Sequence, residues 1–262
     1  MQAWKSFSAI TVLAGLVACS SSPTGRNQLI LFSDQDMSSL GAQSFEEMKK
    51  ELKISKDKKV NAYVQCVAKS ITDNVPKQSS FKEWEVVVFD SDQVNAFALP
   101  GGKIGVYTGL LDVAVNQDQL ATVLGHEVAH VLADHSNERL SQSQLANAGL
   151  QVTSIALGAS EYSEYRNATM AALGVGVQYG VILPYGRTQE SEADIVGLEL
   201  MAKSGFDPKQ SVELWKNMAK ASGGNTPPEL LSTHPSHDTR IGDLSAKIKS
   251  LPKYEGKKPN CS

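Results

Sequence analysis

The chain has 262 residues, 41% hydrophobic and 20% charged, with a formal net charge of −3. That length and apolar fraction suit one globular domain with its own core and some peripheral additions. The slightly acidic balance speaks against nucleic acid as a partner. The one lysine-rich stretch (Lys49, Lys50, Lys53, Lys56, Lys58 and Lys59) is interleaved with Glu51 and Asp57, as on a solvated helix face and turn.

The first charged residue is Lys5, and the apolar stretch Ala9 to Ala18 that follows is too short to span a bilayer as a mature helix. A positive start, a short apolar core and small residues at its end read as a secretory signal over residues 1–18. The segment closes on Leu16-Val17-Ala18-Cys19, which resembles a bacterial lipobox. The resemblance implies cleavage before Cys19 and acylation of that residue; several acyl chains give a stable anchor where one gives marginal binding. An ordinary signal peptide with an incidental Cys is the plainer alternative. Ser20 after the Cys, where Asp would favour the inner membrane, points to a periplasmic location on the outer membrane. Residues 19–32, with Ser20-Ser21-Ser22-Pro23-Thr24-Gly25-Arg26, then read as lipidated Cys and tether.

The domain proper is expected over 33–250. Ser33 or Asp34 can cap a first helix of about 34–53. Val60, Val64, Val67, Ala68 and Ile71 mark a second over 58–74. Residues 84–90 are β-rich and read as a strand, and Asn95 to Tyr107, turning at Pro100-Gly101-Gly102, reads as a hairpin. Asn116 caps a long helix, with Gln119 at the third position of a capping box. The Ala/Gly/Val-rich stretch 145–183 is helical in character, and Glu161, Glu164 and Arg166 argue against a membrane span. A helix over 188–203 closes at Gly205, Asp207-Pro208 restarts the chain as a helix, and a last helix covers 237–250. The polar tail 251–262 is expected to be poorly ordered. Its Cys261 and Cys66 form an even pair that could make a disulfide in an oxidising compartment; two free thiols, with Cys66 buried in its helix, is the alternative.

The long helix contains His126-Glu127-Val128-Ala129-His130. Residues four apart share a helix face, so both imidazoles can reach one metal ion, as a zinc site requires. Glu127 adjoins the first ligand and can act as general base towards water and as proton carrier to the leaving amine. An amphipathic helix with two incidental histidines is the bland alternative, and the five-residue pattern is too specific for it. A third His six residues after His130 is absent, because that position is Ser136. His135 comes one residue early and reads as a helix-face or supporting residue.

The third ligand must come from elsewhere, and Arg187-Thr188-Gln189-Glu190-Ser191-Glu192-Ala193-Asp194 is the best source. Glu190 and Asp194 share a face while Glu192 points away. Glu190 can ligate, Asp194 can hydrogen-bond a ligand imidazole, and Arg187 can pair with the acidic cluster or steady an oxyanion. Taken together, His126-Glu127-x-x-His130 and Glu190-x-Glu192-Ala193-Asp194 resemble the membrane-associated gluzincins of the HtpX, BepA and CAAX-prenyl-protease group. Thr24-Gly25-Arg26 resembles the start of a periplasmic lipoprotein branch of that group. The resemblance implies one zinc on His126, His130 and Glu190, a catalytic Glu127 and a supporting Asp194. It also implies an α+β fold, mainly helical, with a small sheet or hairpin beside the active-site helix.

Three further features bear on function. An exposed edge of the hairpin could pair with an extended substrate, with Asn95 and Ala96 near its backbone, or the hairpin could simply be core. His234, in Thr233-His234-Pro235, could hydrogen-bond an oxyanion or take the open zinc position and hold the enzyme inactive; His237 could cap the last helix. The reading that results is a zinc endopeptidase acting on unfolded or misassembled envelope polypeptides. An outer-membrane assembly factor or chaperone with a His-blocked zinc site is the alternative, and the outer-membrane assembly machinery is a candidate partner.

Overall fold

The structure, a computed structural model, describes residues 19–76, 83–160, 162–177, 183–221, 234, 240–252 and 258–261. The expected secretory leader, His237 and part of the tail lie outside these residues. The architecture is mainly helical α+β.

Residues 19–29 form an antiparallel ribbon of β1 (Cys19–Ser21) and β2 (Asn27–Leu29). This replaces the expected tether, and Ser22 and Gln28 within it are buried. Helix α1 (Asp34–Glu51) starts at Ser33, whose side chain accepts from the Asp36 amide in a reciprocal capping box. Helix α2 (Lys58–Thr72) is capped by Asp57 and buries Val64, Val67, Ala68 and Ile71. The sheet comprises β3 (Glu85–Phe89), β4 (Ala96–Leu99) and β5 (Lys103–Tyr107). Strands β4 and β5 make the expected hairpin, with Gly101 and Gly102 at φ 83° and 75°, a conformation glycine adopts at little cost. Strand β3 pairs in parallel with β5, so β5 is central and β4 is an edge.

Helix α3 (Gln117–Leu132) runs through the middle of the domain, touching α2, β4, α6 and α7. Asn116 caps it by accepting the Gln119 amide; the Gln119 side chain reaches back to the Val115 amide, one residue earlier than a capping box would. Leu120, Leu124 and Val128 are fully buried; each contributes roughly 2 kcal/mol of hydrophobic stabilisation. Asp134, at φ 51°, ends this run, and α4 (His135–Gly158) departs in a new direction. Helices α5 (Arg166–Val177), α6 (Leu183–Lys203), α7 (Gln210–Ala221) and α8 (Arg240–Ser250) complete the order. Among the described residues no helix is long and apolar enough to cross a membrane.

Residues 258–261 of the tail, where poor order was expected, are held in place. Cys66 and Cys261 are bonded, with Cα atoms 5.5 Å apart. Gln117 hydrogen-bonds Pro259 and Cys261, and Lys258 pairs with Asp118 at 3.0 Å.

Candidate metal centre

Two helices cross to make the centre. The last turns of α3 carry His126, Glu127 and His130, and the middle of α6 carries Glu190 and Asp194. What lets the helices meet is a glycine pair: a Cβ on Gly197 would stand 2.7 Å from the His126 backbone nitrogen, and one on Gly125 would stand 2.8 Å from the Gly197 carbonyl oxygen. His126 Nε2 lies 3.1 Å from His130 Nε2 and 3.2 Å from Glu190 Oε2. Glu190 Oε1 is 3.3 Å from His130 Nε2. His234 Nδ1 closes the group, 3.2 Å from His126 Nε2 and 3.1 Å from the Glu190 oxygens. All four residues are buried, and their ligand atoms lie within 4.8 Å of one another.

These residues fit a metal ion. Zinc bonds of 2.0–2.1 Å in a tetrahedron place neighbouring ligand atoms about 3.3 Å apart, the spacing of the edges given above. Charge agrees: the buried carboxylates Glu190 and Asp194 face one buried guanidinium, Arg240, which leaves negative charge for a cation to balance. Burial alone would raise the Glu190 carboxyl, yet hydrogen bonds from His126, His130 and His234 hold it far below the usual carboxylate range. Burial pulls the His126 imidazole down, but Asp194 and Glu190 override it and raise it to about 9. His130 is pushed down, chiefly by burial. Metal uptake therefore competes with a proton on His126.

Asp194 Oδ1 sits 3.0 Å from His126 Nδ1, leaving Nε2 for the metal. Arg240 donates to the same oxygen at 2.6 Å and lies with its guanidinium carbon 3.6 Å from the centre of the Trp215 ring. Glu127 is 3% exposed, and its Oε1 stands 3.3 Å from His234 Nε2 without hydrogen-bonding geometry. A small, largely apolar pocket opens beside these groups, lined by Val123, Leu198, Leu214, Trp215 and Leu244 among others.

Residues 55–248 match peptidase family M48. The chain belongs to that family. All of the candidate ligands, together with Glu127, Asp194 and Arg240, lie inside the matched stretch of this M48 peptidase. It is 36% identical to the mitochondrial metalloendopeptidase OMA1 of Danio rerio over 240 residues, covering 86% of this chain and 49% of that protein. It is 35% identical to the corresponding OMA1 of Saccharomyces cerevisiae over 178 residues, 65% of this chain and 48% of that protein. It is 29% identical to the beta-barrel assembly-enhancing protease of Yersinia pestis over 226 residues, 83% of this chain and 45% of that protein. The chain thus spans about half the length of these curated relatives.

The structure of this M48 peptidase changes one expectation, that for Arg187, and gives buried partners to Glu192 and His135. Arg187 is exposed on α6, and the arginine beside Glu190 and Asp194 is Arg240, on the last helix. An Arg that opens an amphipathic helix carries no sequence signal for that role. Glu192, expected to point away, is buried with its carboxylate against His135, Thr24 and Arg26. His135 is fully buried, with Nδ1 2.8 Å from His130 Nδ1. Asn95 and Ala96 sit at the start of edge strand β4, where Asn95 Oδ1 accepts the Ala96 amide.

Proposed function

We propose that this protein is a zinc-dependent endopeptidase, lipid-anchored through Cys19 on the periplasmic side of the outer membrane, that cuts unfolded or misassembled envelope polypeptides. The convergence of His126, His130 and Glu190 on one point beside Glu127 carries the catalytic part of the reading. The lipobox-like segment and the Cys66–Cys261 bond support the location, since disulfides persist in oxidising compartments.

His126, His130 and Glu190 would hold the ion, and Asp194, steadied by Arg240, orients His126. Zinc, when bound, polarises the scissile carbonyl and lowers the pKa of water. Glu127 takes the proton of the attacking water and passes it to the leaving amine. Edge strand β4 offers backbone groups to an extended substrate, which favours unfolded chains over a fixed sequence; Asn95 and Ala96 lie at its entry.

Catalytic zinc sites keep a fourth corner open. His234 Nδ1 lies beside His126 and Glu190, where it would take that corner of a bound ion, and its other ring nitrogen faces Glu127. This observation favours a second layer to the reading: a latent peptidase whose site His234 closes, suited to a protein that also binds clients without cutting them. A relative whose name describes enhancement of β-barrel assembly makes outer-membrane assembly machinery the natural partner to test.

The test is casein cleavage by wild type and Glu127→Gln with zinc measured in both. Cleavage by wild type alone, with one zinc in each, supports the reading. Zinc in neither sinks it. Zinc in both with cleavage in neither leaves the latent form, which His234→Ala then unmasks or refutes.

A further inference from the structure

The N-terminal ribbon lies outside residues 55–248, yet it reaches the metal centre through partly buried polar contacts. Arg26 grips Glu138 with both terminal nitrogens, at 2.6 and 2.7 Å, and Glu192 Oε2 with Nε and Nη2, at 3.1 and 3.0 Å. The hydroxyl and amide of Thr24 both donate to Glu192 Oε1, at 2.5 and 3.3 Å. On the same side, Gln28 donates to the Ala133 carbonyl at 2.5 Å, tying the ribbon to the end of the ligand-bearing helix. Glu192 Oε2 meets His135 Nε2 at 3.2 Å, and His135 Nδ1 meets His130 Nδ1 at 2.8 Å. His130 Nε2 points into the ligand cluster.

The donors and acceptors along this row admit one arrangement. Every group facing Glu192 is a donor or can be one, so the carboxylate accepts throughout. A neutral imidazole has a single N–H. Glu192 draws that of His135 to Nε2, which leaves Nδ1 as an acceptor. His130 must then donate from Nδ1, and its Nε2 lone pair is free for a metal. The opposite direction would put a proton on His130 Nε2 and remove a ligand.

We propose that Thr24 and Arg26 of the ribbon, acting through Glu192 and His135, are positioning residues that fix the Nδ1–H tautomer of His130 and aim its Nε2 at the metal. The chain thereby supports each histidine of the motif separately: Asp194 and Arg240 serve His126, while Glu192, His135 and the ribbon serve His130. The assignment rests on the metal-centre reading above. It also gives residues that follow Cys19 by five and seven positions an indirect part in the site.

Two measurements test it on zinc-loaded protein that retains the ribbon. Nitrogen-15 spectra of the histidine side chains in wild type should show His130 protonated at Nδ1 and His135 at Nε2. A proton at His135 Nδ1 overturns the proposal without need of any variant. Competition against a chelator should then show a 10–100-fold loss of zinc affinity in Glu192→Ala and in His135→Ala, as expected when a partner of a ligand imidazole is removed. The double variant should lose no more than the worse single one, because both act along one path. Arg26→Ala should weaken zinc in the same direction. Additive losses, or affinities equal to wild type, overturn the relay while leaving the zinc site standing. Wild type that takes up no zinc overturns both.

Discussion

Gly197→Ala is the most economical test of how the two helices build the centre. Its Cβ would stand 2.7 Å from the His126 nitrogen and 2.8 and 2.9 Å from the carbonyl carbon and oxygen of Gly125. Ordinary contacts begin near ~3.5 Å, so the helices must part by about 0.8 Å. All three opposing atoms are backbone and cannot swing aside. Helix α6 carries Glu190 and Asp194 on the face that meets α3. A parting of that size stretches the 3.0 Å bond from Asp194 to His126 past hydrogen-bonding distance. It also exceeds the ~0.5 Å tolerance of a preorganised site. Zinc affinity should fall roughly 10–100-fold and stability by about 1–3 kcal/mol. Chelator competition and urea unfolding read the two. Gly242→Ala on α8 is the control: its Cβ meets nothing within 4 Å, so zinc should be unchanged and stability should rise by up to about 1 kcal/mol. A Gly197→Ala protein that keeps wild-type zinc affinity would refute the idea that glycine contact sets the ligand spacing.

His234→Ala frees the fourth corner; if the blocked form holds 90–99% of molecules, casein cleavage should rise ~10–100-fold, and a fall would instead mark His234 as an oxyanion donor. The Cys66–Cys261 bond closes a loop with a sequence separation of 195; its removal in Cys66→Ser/Cys261→Ser should cost about 5 kcal/mol in urea unfolding, and a loss near zero would show that the tail contacts alone suffice. Burial, with Asp34 nearby, raises the Asp134 carboxyl to about 6 from 3.8. A raised folded-state value means that its stabilising contribution is complete below pH 3.8 and lost as pH rises through 6. Asp134→Asn, which also suits φ 51°, should therefore gain on wild type across that window and hold its advantage above it. Asp134 is solvent-exposed, which limits the gain to at most ~1 kcal/mol, and a gain that shrinks with rising pH would contradict the sign.

What the residues alone disclosed, and what they hid, divide along physical lines. His126, Glu127 and His130 were legible because helical spacing converts sequence directly into a shared face. Glu190 followed because a two-histidine half-site needs a third ligand. The hairpin was legible through Pro100-Gly101-Gly102, since few residues accept the required turn. The parallel pairing of β3 with β5 was not, because nothing local encodes a partner across a connection. Arg187 stands out in sequence by its nearness to Glu190, whereas Arg240 carries no such cue. The fold instead brings α8 back over Trp215, a contact of long range that no spacing rule reaches.

Glu192 shows why helical spacing settles orientation but not role. Two residues along from Glu190, it does point to the other side of α6, as the geometry requires. What lies on that side is α4 and the ribbon, so a residue read as facing away is buried against His135. The rule that a charge opposite the functional face is solvated needs an open face there. It fails wherever a helix is wedged between two layers, because a buried carboxylate must then find donors on that side or lose its charge. Thr24, Arg26 and His135 are those donors, and the last of them leads back to His130. Both faces of α6 thus converge on one ion site, one through Glu190 and Asp194 directly and the other by way of Glu192. A short ribbon that composition assigns to a tether is held in place by this need for donors.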